Sequence, residues 1–201
     1  MDRLSAIALA LAGSGLLACG DGHRSGGKGA TPRSRVNAVQ AKAPAAVDLA
    51  GFCEAMHEPA AAPPLALPAL RKGSPPAPTG NKRWINVWAT WCKPCIEELP
   101  RLVQWHREIA ARSDFDLVFL SADGDAEAVR TFTQAHPEVA DTLELEDAAG
   151  LDPWVQSLGL AGSAVLPVHI FVGADDRVRC LRSAGIGPSD RAAVERLLVS
   201  M

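Results

Sequence analysis

The chain has 201 residues, of which 48% are hydrophobic and 21% are charged, and its formal net charge at pH 7 is −3. This length and composition predict one well-cored domain with extensions, and the slightly acidic balance gives no indication of a nucleic-acid partner. The five cysteines must be interpreted by position, because position distinguishes modified, structural and catalytic cysteines.

The N-terminus has the pattern of an export signal. Residues 4–18 form an apolar run that is shorter than the about 20 residues needed to span a bilayer. Residues 16–19, Leu-Leu-Ala-Cys, resemble the lipobox of bacterial lipoproteins, in which the cysteine is acylated and becomes the mature N-terminus. We predict residues 1–19 as a lipoprotein-type signal peptide with Cys19 as the lipidation site, so the membrane is a partner through the lipid. An ordinary signal peptide or an uncleaved anchor is the alternative.

Two segments of different character separate this signal from the main domain. Residues 20–46 are rich in Gly, Ala, Ser, Lys and Arg without apolar periodicity, which predicts a flexible tether. Residues 47–80 are predicted to be an N-terminal extension that packs on the domain, with a short amphipathic element at 47–56. Prolines make 59–78 extended, either as a surface loop or with a short edge strand, and a disordered linker stays open as the alternative. The apolar residues of that stretch are Leu65, Leu67 and Leu70.

The main domain, predicted over 81–201, begins with a strand that leads directly to two cysteines. Residues 84–89 form an apolar, β-rich run without a breaker. Apolar residues then recur at helical spacing from 93 to about 112, which predicts an amphipathic helix. Cys92 therefore lies at a helix N-terminus, where the helix dipole and unpaired N–H groups stabilise a thiolate and lower the pKa of the thiol.

Cys92 and Cys95 have the spacing needed for thiol–disulfide exchange. Cys92 is the predicted nucleophile. Cys95 lies one helical turn further in, so we predict that it is more buried and resolves a mixed disulfide formed by Cys92. Pro94 fits the first helical turn because its missing N–H has no intrahelical partner there, and it stiffens the loop between the sulfurs.

Residues 86–100, NVWATWCKPCIEELP, resemble the thioredoxin superfamily and, within it, the membrane-tethered TlpA/ResA-like thiol–disulfide oxidoreductases of the bacterial cell envelope. The resemblance covers about 81–201. It implies a thioredoxin-like α/β fold with a central mixed β-sheet flanked by helices. It also implies that Glu98 exchanges protons with the buried thiol. Cytosolic thioredoxins have an aspartate six positions before the first cysteine, where this chain has Asn86, which leaves Glu98 as the best local proton acceptor.

Strands and helices continue to alternate after the first helix, which predicts an α/β sheet. Residues 115–122 form an apolar central strand, and 126–136 form a helix that ends before a proline. A weaker strand is predicted at 142–145. Asp152 is predicted as the N-cap of a short helix that ends at Leu158.

Residues 166–172 are the second part of the resemblance. In thioredoxin-like folds a cis-proline precedes this strand and faces the two cysteines, and Pro167 aligns with it. The backbone beside Pro167 would then pair with an extended peptide that presents its cysteine to Cys92. A trans proline that opens an edge strand is the alternative. His169, two residues later, is predicted to be a core histidine and not a metal ligand. The predicted substrate contacts are Trp91, Lys93, Pro94 and Leu166.

The C-terminal part predicts a hairpin turn at 173–176, a strand at 177–182 and a closing helix at 191–199. Once Cys19 is assigned to lipid and the Cys92/Cys95 pair to chemistry, Cys53 and Cys180 remain. In an oxidising compartment we predict that these two form a structural disulfide. Two buried free thiols are the alternative.

The favoured function is a thiol–disulfide oxidoreductase of the cell envelope, facing the periplasm, that acts on cysteines of exported proteins. The resemblance favours reduction, for example in cytochrome c or copper-site maturation, with a membrane thiol protein as electron donor. A general envelope oxidant or reductant is the first alternative. The others are a non-catalytic adaptor and a metal site built on Cys92 and Cys95 with another cysteine or histidine. We predict no metal and no cofactor, because no nucleotide or haem motif is found.

Overall fold

The computed structural model describes residues 47–74 and 81–201. The predicted signal peptide 1–19 with Cys19, the predicted tether 20–46 and residues 75–80 lie outside the described residues. The strands are β1 (Ala55–Met56), β2 (Leu70–Lys72), β3 (Lys82–Trp88), β4 (Phe115–Ser121), β5 (Leu143–Leu145), β6 (Val168–Val172) and β7 (Val178–Arg182). The α-helices are α1 (Leu49–Phe52), α2 (Lys93–Ala110), α3 (Ala126–Ala135), α4 (Leu151–Ser157) and α5 (Arg191–Ser200).

The described strands form one mixed sheet in the order β1-β7-β6-β3-β4-β5-β2. β4 runs parallel to both β3 and β5, and the remaining pairs are antiparallel. Strand-helix-strand crossovers produce the parallel pairs, as expected for alternating elements. The predicted fold, a mixed sheet with helices in a thioredoxin-like α/β arrangement, is confirmed.

The residues before β3 contribute both edges of the sheet. β1 pairs with β7, and β2 pairs with β5 at the opposite edge. Leu70 lies in β2, so the stretch 59–78 contains the short edge strand that the sequence analysis gave as one possibility. Cys53 lies between α1 and β1. The extension therefore supplies strands to the sheet, which goes beyond the packing that the sequence predicts. No helix in the described ranges is long and apolar enough to cross a membrane.

Strand β3 separates two apolar layers by its alternating side chains. Trp84 and Trp88 are fully buried in the layer that also contains the inner face of α2. Ile85 and Val87 are buried in the opposite layer with residues of α4. Because side chains alternate along a strand, Asn86 shares the α2 side with the two tryptophans. A fully buried amide therefore lies beneath the helix that carries the two cysteines.

One predicted helix start is wrong. Asp152 is not an N-cap, because α4 begins at Leu151 and its N-cap is Gly150, two residues before the predicted position. A 3₁₀ turn at Ala148–Gly150 runs directly into the helix and moves its start. The Asp152 carboxylate instead accepts a hydrogen bond from the backbone N–H of Ala164 at 2.8 Å. Its role is to hold a distant loop.

Candidate active site

Cys92 and Cys95 are joined by a disulfide at the N-terminus of α2. Cys92 is the N-cap residue, and the backbone N–H of Cys95 donates to its Sγ at 3.3 Å. Pro94 lies in the first turn, as predicted. Cys95 is fully buried, whereas Cys92 keeps 5% of its surface exposed. The helix N-terminus therefore directs a donor at the more accessible sulfur, the arrangement that stabilises a thiolate there.

An apolar groove of about 640 Å³ opens beside Cys92. The four predicted substrate contacts all line it, together with residues from the loop before β6. Trp91 is 70% exposed, whereas Trp88, three residues earlier in β3, is fully buried. An exposed indole beside a reactive sulfur provides a flat apolar surface for a bound chain. The predicted contacts are Trp91, Lys93, Pro94 and Leu166.

The peptide bond between Leu166 and Pro167 is cis, and β6 begins at the next residue. Leu166 lines the same groove as Cys92. The residue before the cis-proline and the first cysteine of the pair therefore face a common space. That is the placement expected from the sequence, in which a chain lying along Leu166 reaches Cys92.

Glu98 lies three residues after Cys95 on α2 and is only 2% exposed. Its Oε1 accepts a hydrogen bond from Asn86 Nδ2 at 3.0 Å, and its Oε2 accepts one from the backbone N–H of Ile186 at 2.7 Å. Nε2 of His169 lies 3.1 Å from Oε1, although the angle is outside that of a hydrogen bond. Both carboxylate oxygens therefore face nitrogen donors, and three different chain segments meet at this one side chain.

His169 is a buried histidine, as predicted, but its contact with Glu98 was not foreseen. The Trp84 indole N–H donates to Nδ1 of His169 at 3.2 Å. An indole nitrogen only donates, so Nδ1 must accept, and the imidazole hydrogen is assigned to Nε2, which faces Glu98. The ring thus links a buried tryptophan to the carboxylate. A polar residue in an otherwise apolar strand was the available sequence signal.

Asp123 fixes the turn that precedes Cys92, and the sequence analysis missed it. Its Oδ2 accepts from the backbone N–H of Thr90 at 2.9 Å, and its Oδ1 accepts from the Thr90 hydroxyl at 2.7 Å. The Ser121 hydroxyl also donates to Oδ2, at 2.9 Å. Asp123 is 1% exposed. A buried carboxylate with these donors holds the loop that carries the cysteine in one position.

Cys53 and Cys180 form the second disulfide, with an S–S distance of 2.05 Å and a sequence separation of 127. The predicted pairing is thus present in the structure, and it joins the extension to β7. Within residues 47–74 and 81–201, no group of three or more His, Cys, Asp or Glu side chains could hold a metal ion.

Comparison with known proteins agrees with this geometry. A family model described as thioredoxin-like matches residues 81–150. The thiol:disulfide interchange protein CycY of Rhizobium leguminosarum bv. viciae is 30% identical over 142 residues, which cover 71% of this chain and 68% of CycY. The thiol-disulfide oxidoreductase ResA of Bacillus cereus is 24% identical over 99 residues, covering 49% of this chain and 53% of ResA.

A solved structure shows the same fold. The secreted thiol-disulfide isomerase of Corynebacterium glutamicum superposes with a TM-score of 0.54 at 19% identity, covering 73% of this chain and 92% of that one. The chain spans about half the length of the ResA proteins that it matches. The match to CycY extends over more than two thirds of both proteins. The chain therefore belongs to the thioredoxin superfamily, among its TlpA/ResA-like members.

Proposed function

We propose that this protein is a thiol–disulfide oxidoreductase in which Cys92 exchanges with substrate sulfur and Cys95 resolves the intermediate. The observation that carries the proposal is the shared groove. The N-capping sulfur of Cys92 and the residue before a cis-proline, Leu166, line one apolar space. A peptide with a disulfide can lie along that residue and present sulfur to Cys92.

In the reducing direction, the Cys92 thiolate attacks one sulfur of a substrate disulfide. A mixed disulfide forms, and the other substrate sulfur leaves as a thiolate. Cys95 then loses its proton and attacks the Cys92 sulfur, which releases the second substrate thiolate. The protein dithiol is oxidised to the Cys92–Cys95 disulfide while the substrate disulfide is reduced to two thiols. The pair is present in its disulfide form.

Glu98 is proposed to take the proton that Cys95 loses. The two residues are three apart on α2, so their side chains occupy the same side of the helix. Burial of both leaves little room for bulk water as the acceptor. Asn86 and Ile186 hold the carboxylate in place by hydrogen bonds.

The substrates are proposed to be cysteines of exported proteins, as in cytochrome c or copper-site maturation, with a membrane thiol protein as electron donor. We place the protein in the bacterial cell envelope, facing the periplasm and anchored through lipid on Cys19. The resemblance in 81–201 and the signal-like N-terminus support this proposal. The domain limits 1–19, 20–46, 47–80 and 81–201 stay predictions of the same kind.

The test is the reduction potential of the Cys92–Cys95 pair, measured by equilibration with glutathione or dithiothreitol while tryptophan fluorescence is followed. A reductase is expected to have a potential well below that of the glutathione pool. A potential near that of strong oxidants would instead make the protein a disulfide-forming enzyme. The absence of any redox transition would contradict catalysis. A Cys95→Ser variant should in addition trap a mixed disulfide through Cys92.

A further inference from the structure

The loop before the cis-proline is held by side chains from two other parts of the fold. The backbone N–H of Ala164 donates to Asp152 Oδ1 at 2.8 Å. The backbone N–H of Val165 donates to the Ser183 hydroxyl at 2.7 Å, and the same hydroxyl donates to the Val165 carbonyl at 2.9 Å. One hydroxyl therefore satisfies both backbone groups of Val165, using its single hydrogen and a lone pair.

Leu166 differs from these two neighbours. In the part of the chain that the structure describes, its backbone N–H and carbonyl have no hydrogen-bond partner. Its side chain lines the groove beside Cys92. The contacts to Asp152 and Ser183 thus occupy the N–H of Ala164 and both backbone groups of Val165, and they leave both backbone groups of Leu166 open. An extended chain entering the groove therefore finds an open N–H and an open carbonyl at the residue that lines the groove beside Cys92.

Ser183 is itself fixed in position. It directly follows β7, and its backbone N–H donates to Glu54 Oε1 at 3.2 Å. The backbone N–H of Glu54 donates to the Leu181 carbonyl at 2.8 Å. The adjacent Cys53 is bonded to Cys180 of β7. The hydroxyl that holds Val165 is therefore supported by a paired strand and a covalent bond.

We propose that Ser183 is a positioning residue for peptide substrates, because its hydroxyl occupies both backbone groups of Val165 and so directs an extended chain to Leu166, beside Cys92. This inference rests on the proposed function and adds to it a residue outside the reacting groups. Loss of the hydroxyl opens the Val165 backbone to water and to misplaced chains. A small disulfide substrate without a peptide backbone cannot pair with the backbone groups of Leu166. Its rate of reduction should therefore not depend on the Ser183 hydroxyl.

The experiment compares two disulfide substrates with dithiothreitol as the recycling reductant. Insulin presents its disulfides on peptide chains, and hydroxyethyl disulfide has no peptide backbone. For Ser183→Ala we expect the KM for insulin to rise about tenfold while kcat stays within about twofold, as for a lost pair of hydrogen bonds. The rate with hydroxyethyl disulfide should stay within about twofold of wild type, because no peptide bond pairs there.

Two further variants control for changes in the fold. Ser183→Thr retains the hydroxyl and should restore the wild-type KM for insulin. Ser189→Ala removes an exposed hydroxyl from the same loop region, and no side-chain hydrogen bond of Ser189 is present among the described residues, so it should resemble wild type with both substrates. Melting temperatures of all variants show whether the fold is retained.

Two results would overturn the inference. One is an unchanged KM for insulin in Ser183→Ala, and the other is an equal loss with both substrates, which would place the effect on the cysteines or on the fold. A wild-type protein that reduces neither substrate would contradict the proposed function itself, and that outcome is distinct from a failure of the Ser183 variants alone.

Discussion

Two disulfides lie in the described part of the chain, and their solvent exposure is nearly the same. Cys92 is 5% exposed and Cys53 is 7% exposed, while the partner of each is fully buried. Exposure alone therefore gives no reason to assign reactivity to one pair and a structural role to the other. The difference must come from what surrounds each sulfur and from how much chain each bond closes.

Those surroundings differ in kind. The Cys92 sulfur receives a helix N-terminal N–H and opens onto an apolar groove, and its bond closes a loop of only three residues in sequence separation. The Cys53–Cys180 bond has a sequence separation of 127 and joins the segment between α1 and β1 to β7 within the apolar core. The first arrangement suits exchange, because a thiolate is stabilised and reachable. The second suits restraint of the unfolded chain.

The strongest test of these two assignments, exchange for Cys92–Cys95 and restraint for Cys53–Cys180, is to remove the proposed nucleophile. Cys92→Ser should reduce insulin reduction to the uncatalysed rate, because a hydroxyl cannot replace the thiolate in exchange. Measurement of insulin precipitation with dithiothreitol checks this expectation. The double variant Cys53→Ala with Cys180→Ala is the matched control and should keep most of the wild-type rate. If the control loses activity while Cys92→Ser keeps it, the assignment of the two bonds is reversed.

The same double variant should have the largest effect on stability. Loss of a bond that closes so long a loop is expected to lower the free energy of unfolding by about 2–5 kcal/mol, since the unfolded chain gains freedom. Urea denaturation, with Cys92–Cys95 oxidised in both proteins, measures the difference. Cys92→Ser removes only the Cys92–Cys95 bond, which closes a short loop, and it serves as the control. Its free energy of unfolding should change much less. An unaltered free energy of unfolding in the double variant would contradict the structural role assigned to the Cys53–Cys180 disulfide.

A smaller effect is expected from the carboxylate that holds the loop before Cys92. Asp123→Ala leaves the partly buried N–H and hydroxyl of Thr90 without their acceptor, which should cost about 1–3 kcal/mol in the free energy of unfolding. It should also slow exchange, because the loop carrying the cysteine is freed. Urea denaturation and insulin reduction measure the two effects. Asp141→Ala changes an exposed aspartate and should leave both unchanged.

The smallest effect concerns acid stability, at the ion pair between Glu108 of α2 and Arg191 of α5. A hydrogen bond from Gln104, followed by one from Arg191, holds the pKa of Glu108 below its ordinary value of 4.5 in the folded protein. A carboxyl group whose folded pKa is depressed stabilises the fold above its unfolded pKa, and this stabilisation is lost as pH falls through the folded pKa.

Arg191→Gln should therefore lose less stability than wild type when the pH falls from neutrality to below 4.5. Unfolding curves at a series of pH values measure this slope. Arg196→Gln, an exposed position on the same helix, is the control and should follow wild type. Identical slopes for wild type and Arg191→Gln would show that the ion pairs between α2 and α5 do not link stability to pH.

The sequence predicted those parts of the site that depend on local pattern. The strand before Cys92 and the helix after it are encoded by apolar periodicity, so the N-terminal placement of the cysteine could be foreseen. Pro167 and Glu98 were identified through resemblance to a family. Asp123 was missed because its contact with Thr90 depends on strand register. β3 and β4 pair with Trp88 opposite Ser121, so residues two positions beyond each strand meet.

His169 shows the same limit across an antiparallel pair. Its alternation in β6 indicated burial, but the neighbour was set by the pairing of Asn86 with His169 between β3 and β6. No local pattern predicts which strands become neighbours when two contacting side chains, here those of Asn86 and His169, have a sequence separation of 83. The prediction that Asp152 is an N-cap was wrong for the opposite reason. Its local pattern fitted an N-cap, but a preceding turn extended the helix and a distant loop took its carboxylate.

The placement of β1 and β2 at opposite edges also constrains the order in which the fold can assemble. Among the described strands β1 is the first in the chain, yet its partner β7 is the last, and β2 must wait for β5. Pairings of such long sequence separation form slowly, because chain closure precedes any gain from contact. Cys53 therefore exists as an unpaired thiol while Cys92 and Cys95 are already available to it. A chain that folds in an oxidising compartment is therefore exposed to a wrong pairing between these cysteines until β7 pairs with β1.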